Sequence, residues 1–233
     1  MTASLAEDVF FCMAQGHGVF LDLKRDAYSA IPLQEADSLP CDVPALLSAV
    51  GEQHGEALRD AGLLAACGQA GGSLSDYLAI ARPTGQFSGC LDRRAFGRHA
   101  DTPGVPPSAI DIFEVLSACR IAAFRLRRWP IARTIKQVRG RKAHGLRMRL
   151  TPEALAGNVD MFSRIRPWYP RAYLCLFDSL ALLEFLARRG AHPDWIFGVQ
   201  VQPFAAHCWL QIDGKLLNET LERAGQFTPI MSV

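Results

Sequence analysis

The sequence predicts an α+β fold in two parts, and three observations carry that prediction. Short apolar runs separated by Gly-containing turns occupy residues 8–31, and apolar residues at helical spacing follow from Pro44. A second helical pattern opens near Ser108. A helix that is apolar on nearly every face then runs from Cys175 to Arg188, followed by two strands joined through AspGly at 213–214. A chain of 233 residues holds one or two domains of about 150 residues each.

In the first part, Val9–Met13 and Val19–Leu23 read as strands flanking AlaGlnGlyHisGly, a hairpin loop of about three to five residues. AlaTyrSerAlaIle at 27–31 reads as a third strand, ended by Pro32. Leu46, Leu47 and Val50 fit one helix, while Leu58, Ala61 and Leu63 or Leu64 fit another, each interrupted by Gly. Residues 1–85 are assigned to this unit. Gly and Pro concentrate from residue 68 onward, and 86–108 reads as a linker tethering separable units. The second unit spans 109–233. Its first helix places Ile112, Val115, Leu116, Cys119 and Ala123 on one face.

Composition excludes several classes. Apolar residues make up 49% and charged residues 21%, so neither a disordered chain nor a coiled coil is expected. The N-terminus lacks a basic segment followed by an apolar run, and no uncharged apolar stretch reaches about 18 residues. The expectation is a cytoplasmic protein with no membrane association. Seven cysteines without a CxxC pair read as reduced thiols, with neither a disulfide frame nor a metal site. The net charge of +2 conceals an asymmetry: Arg120 to Arg149 holds eleven Lys or Arg and no acid. One reading is a solvated basic face whose long stems lie over the core. The other is a docking surface for an acidic peptide, a partner protein or nucleic acid. Few aromatic residues, Phe124 and Trp129, interleave with the basic ones, which makes nucleic acid the weakest of these.

The chemistry concentrates after residue 170. Cys175 stands in the first turn of the all-apolar helix, which Gly190 closes. Unpaired N–H groups and the helix dipole there lower a thiol's pKa. Residues 195–201 and 205–212 read as strands, the second carrying His207, and 215–219 as the returning strand. A buried Cys alone is usually a small hydrophobe, and a strand His alone is usually a satisfied core residue. Together they supply a nucleophile, a base within reach and a third group to orient it. With a two-residue turn, 212 pairs with 215 and 209 with 218, so His207 shares its face with Asn218. Asp213 lies roughly 20 Å from His207 along the strand and is discounted. Cys208 faces away from His207 and reads as packing.

These residues resemble a known family. A Cys-Leu-x-x-Ser-Leu-x-Leu helix start at Cys175 is followed by Gly-Val…Pro-Phe-x-x-His-x-Trp from Gly198 to Trp209. A closing Leu-Leu-Asn-Glu at 216–219 and a terminal Phe-Thr-Pro-Ile at 227–230 complete the pattern. Over about residues 110–233 it is similar to the lasso-peptide leader peptidases, which have a transglutaminase-like, papain-related cysteine protease fold. The first 85 residues resemble the winged-helix-like leader-recognition domain, of the quinone-cofactor chaperone type, that many members carry in front.

The resemblance implies a hydrolase that binds the leader of a lasso-peptide precursor, cleaves it off and delivers the core to an asparagine-synthetase-like cyclase, without a cofactor. It implies Cys175 as nucleophile, His207 as base and Glu219 as third member. The family usually has Asp at that third position, so Glu219 is a departure, and Asn218 stays open as the alternative. The leader is expected on the edge of the third strand, at Tyr28 and Ala30, beside the helix around Leu58 and Ala61. Two other classes stay open. One is an acyl-transfer enzyme of the same fold that uses an amine acceptor. The other is a non-enzymatic regulator binding DNA through the winged-helix-like half and the basic stretch.

Overall fold

A computed structural model describes residues 4–33, 43–65, 80, 83–86, 106–144 and 150–233. Strands β1 (Val9–Ala14), β2 (His17–Asp22) and β3 (Ala27–Pro32) form an antiparallel meander in that order. The β1–β2 connection is tighter than the expected loop: Ala14 pairs with His17, and only Gln15 and Gly16 turn, at φ 49° and 74°. Gln15 is held there by a distant contact, because its Oε1 accepts from the N–H groups of Val201 (2.8 Å) and Gln202 (3.0 Å).

The two helices expected after Pro44 are one, α1 (Val43–Asp60), with Gly51 and Gly55 inside it. Leu46, Leu47, Val50 and Leu58 all reach the same core, with Val9, Phe11 and Phe20 on one face of the sheet. That burial outweighs a cost of about 1 kcal/mol per interior glycine. The other face of the sheet, through Phe10, Cys12, Val19 and Leu21, enters the core of the second part alongside Phe177, Phe197 and Leu210. Strands β1 and β2 are therefore buried on both faces, β3 is largely exposed, and the sheet packs directly on the second part.

The second part opens with β4 (Gly85–Gln86) and α2 (Ala109–Arg128). A Ser108–Asp111 capping box starts α2. Next come α3 (Ile131–His144), α4 (Pro152–Ile165), a short 3₁₀ turn (Arg166–Trp168) and α5 (Cys175–Arg188). Strands β5 (Asp194–Gln200), β6 (Ala205–Ile212) and β7 (Lys215–Leu216), helix α6 (Leu221–Ala224) and strand β8 (Thr228–Ser232) complete it. The second sheet has the order β4-β7-β6-β5-β8, and only the β4–β7 pair is parallel. Helix α5 lies between α2 and the sheet. The fold is α+β, as expected. Of the predicted linker, Gln86 ends β4, 106–108 lead into α2, and 87–105 lie outside the described residues. Gly85, assigned by sequence to the first unit, instead pairs with Lys215 on the second sheet.

Much of the basic stretch is engaged inside the fold. Arg125 and Arg141 both pair with buried Glu184, and Lys142 pairs with Asp194 and donates to the Val233 carbonyl. Arg139 donates to the Ser232 carbonyl (3.3 Å). These cations tie α2 and α3 to α5 and β8, which favours long stems over a core. Arg120, Arg127, Arg128 and Arg133 are exposed. No helix among the described residues is long and apolar enough to cross a membrane.

Candidate active site

The site is built where α5 begins. Cys175 is its first residue, half-buried, after an N-cap residue, Leu174, that offers no side-chain cap. The opening N–H groups of the helix therefore lack intrahelical partners and carry the positive end of its dipole. Asp178, one turn on, accepts from the Leu174 N–H (2.7 Å) and from Arg166 Nε (2.6 Å). Arg166 is 1% exposed and also donates to the carbonyls of Tyr169, Arg171 and Ala172. A single buried guanidinium thus shapes the 169–174 approach to Cys175. Sequence reasoning missed both residues. The signal was Asp178 itself, since a carboxylate in an all-apolar helix requires a buried partner.

His207 stands in β6 opposite Gly198 of β5. Its ring lies 5.0 Å from that of Phe227 and 6.0 Å from that of Trp209, centroid to centroid. A Cβ at Gly198 would come within 2.9 Å of Trp209 Cη2 and 3.0 Å of Phe227 Cβ, so the space around the imidazole requires glycine there. Nε2 of His207 is 2.5 Å from Oε2 of Glu219, and both side chains are buried.

Asn218 lies elsewhere. Its Oδ1 accepts from the Leu210 N–H (2.7 Å), and its Nδ2 donates to Ser179 Oγ (2.8 Å). The expected turn is present, with Asp213 and Gly214 at φ 49° and 74° and Ile212 paired with Lys215. The register argument fails two residues later. Leu217 still donates to the Leu210 carbonyl, but the Asn218 side chain takes the place of the return bond, β7 ends at Leu216, and Glu219 is turned toward His207.

Cys175, His207 and Glu219 are therefore brought together. A hydrogen bond from the Cys208 thiol, followed by the hydrogen bond and charge of His207, outweighs burial and holds the Cys175 thiol down at about 3. Burial pushes His207 down, yet its bonds to Cys175 and Glu219 prevail and raise it above its ordinary value. With Nε2 engaged by Glu219, Nδ1 is the ring nitrogen left for the thiol. Both shifts favour a thiolate–imidazolium pair backed by a carboxylate.

The four residues expected to hold a leader are not brought together. Tyr28 and Ala30 lie on β3, which among the described residues is an unpaired edge of the first sheet, opposite Leu21 and Val19. Tyr28 meets Phe204 ring to ring at 5.6 Å. Burial raises its hydroxyl pKa, and the nearby sulfurs of Cys208 and Cys175 add to the shift. Leu58 corrects the expectation: it is 2% exposed and packs into the core on the opposite sheet face. Ala61 is exposed beyond the end of α1, where its carbonyl accepts from Arg25. No cluster of three or more His, Cys, Asp or Glu able to hold a metal occurs among the described residues.

Comparison with known protein families gives a match over the second part. The family model described as the transglutaminase-like superfamily fits residues 114–232, which contain all three site residues. No curated protein and no solved structure matches the chain.

Proposed function

The chain belongs to the transglutaminase-like superfamily, and on that premise we propose that it is a cysteine peptidase releasing the leader segment of a lasso-peptide precursor. The observation that carries the proposal is the Cys175 thiolate at a helix start, paired with a His207 that is itself anchored by Glu219. In this reading the thiolate attacks the carbonyl carbon of the last leader residue. The uncapped N–H groups at the start of α5 face the developing oxyanion. His207 then gives its proton to the departing amine of the core peptide. Water, deprotonated by the same imidazole, releases the leader as an acid. Glu219 holds the ring in one tautomer throughout.

The β3 edge, unpaired among the described residues, supports recognition of an extended leader by strand addition, with Tyr28 on that strand against Phe204. Holding the leader there raises the effective concentration of the scissile bond. The freed core amine is the group an asparagine-synthetase-like cyclase consumes, so that cyclase is the proposed partner.

The test is cleavage of a leader-bearing precursor in the presence of a large excess of glycinamide, read by mass spectrometry. A peptidase yields the leader as a free acid. A leader carrying the amide adduct as the main product identifies an acyl transferase of the same fold and overturns the peptidase reading.

A further inference from the structure

We propose that Cys208 is a resolving thiol, closing a reversible disulfide onto Cys175 when that residue is oxidised by a hydroperoxide. Residues 207 and 208 alternate across β6: His207 is directed toward Trp209 and Phe227, and Cys208 toward α5. On that face Cys208 Sγ lies 3.9 Å from Ser179 Oγ, one helical turn beyond Cys175, and Ser179 Oγ also donates to the Cys208 carbonyl (3.3 Å). The Cys208 thiol and main chain both hydrogen-bond to the Cys175 sulfur. The two sulfurs are thus already neighbours at the start of the central helix.

Their chemistry divides the roles. Cys175 is half-buried and ionised, so it is the sulfur a small peroxide reaches and oxidises first. Cys208 is buried, and burial holds it as a neutral thiol. Cys12 and Cys119 are also buried thiols, raised by burial to about 12 and about 11.

In the first step the Cys175 thiolate attacks one oxygen of hydrogen peroxide and the O–O bond breaks. The departing hydroxide takes the His207 proton and leaves as water, giving a sulfenic acid. In the second step the Cys208 sulfur attacks the Cys175 sulfur, the S–O bond breaks, and the hydroxyl leaves with the Cys208 proton as a second water. Two electrons pass from the two sulfurs to the peroxide. The disulfide removes the nucleophile and protects it from irreversible oxidation to sulfinic acid; a dithiol restores it.

The proposal does not depend on the peptide substrate and is read by mass alone. The full-length protein is treated with hydrogen peroxide, alkylated and digested with trypsin without reduction. Cleavage after Arg171 and Arg188 releases the Cys175 peptide, and cleavage after Arg189 and Lys215 releases the Cys208 peptide. The expected product is these two peptides linked and lighter by two hydrogens, separated by dithiothreitol with recovery of alkylatable Cys175. In Cys208→Ala or Cys208→Ser, whichever circular dichroism shows folded, the link is lost. Cys175 then gains two oxygens that dithiothreitol does not remove. Wild-type protein in which Cys175 is over-oxidised while Cys208 stays alkylatable, or is linked to a different cysteine, overturns the proposal.

Discussion

Leu210 donates its N–H to Asn218 Oδ1 instead of a strand carbonyl, and that exchange decides which neighbour meets His207. Glu219→Gln keeps the shape and removes the charge, so it is expected to lower the cleavage rate on the order of 10³- to 10⁴-fold with the fold intact. Asn218→Ala removes the acceptor of a main-chain N–H and a donor to Ser179. It is expected to cost about 1–3 kcal/mol in denaturant unfolding while lowering the rate far less. Equal rate losses in the two variants would contradict these roles. The thiol can be examined directly. Because Cys175 is held at about 3, its alkylation by iodoacetamide should stay nearly constant from about pH 8 down to about pH 5. An ordinary thiol slows about tenfold per unit below its pKa near 8.5. A profile of the ordinary kind at Cys175 would mean that the ion pair does not form. Cys175 and His207 were legible from residue type, spacing and resemblance. The resemblance pointed to Glu219, whereas residue counting pointed to Asn218, because a side chain interrupts the ladder and counting assumes that none does.

At the scale of elements, Arg166 links the end of α4 to the start of α5 through Asp178 and three loop carbonyls. Arg166→Ala removes the guanidinium that neutralises buried Asp178 and is expected to cost about 3–5 kcal/mol, measured by denaturant unfolding. Asp178→Asn keeps an acceptor for Leu174 N–H and should cost less; the reverse order would place the importance of the pair elsewhere. Gly198→Ala forces a methyl against Trp209 and Phe227, the residues beside His207. It is expected to lose about 1–3 kcal/mol. Periodicity revealed α2 and α5 because their faces are regular and their stops conventional. Gly190, at φ 81°, lets its own N–H and that of Ala191 return to the Ala187 and Leu186 carbonyls. Gly51 and Gly55 misled the reading of α1, where burial of Leu46, Leu47, Val50 and Leu58 overrides propensity. The Gln15–Gly16 turn was hidden for a related reason: the contact stabilising it comes from Val201 and Gln202, far along the chain.

Over the whole molecule, the first sheet and the second part share one core through Phe10, Cys12, Val19 and Leu21. A Gly- and Pro-rich stretch predicts a tether, but nothing in local composition reports that β1 and β2 are covered on both faces. The same limit applies to the basic stretch, whose buried partner Glu184 lies on α5. The shared core predicts a single cooperative unfolding transition for the full chain, with equal midpoints by far-UV circular dichroism and by tryptophan fluorescence. Two separated transitions would show that the parts are energetically independent. The fold thus delivers a thiolate at a helix start to an imidazole held by a carboxylate. The most direct test of that account is the release of leader from a precursor by Cys175→Ala, compared with wild type under identical conditions by mass spectrometry. The account predicts no release above the uncatalysed background in a variant that circular dichroism shows folded. Leader release at an appreciable fraction of the wild-type rate would contradict it.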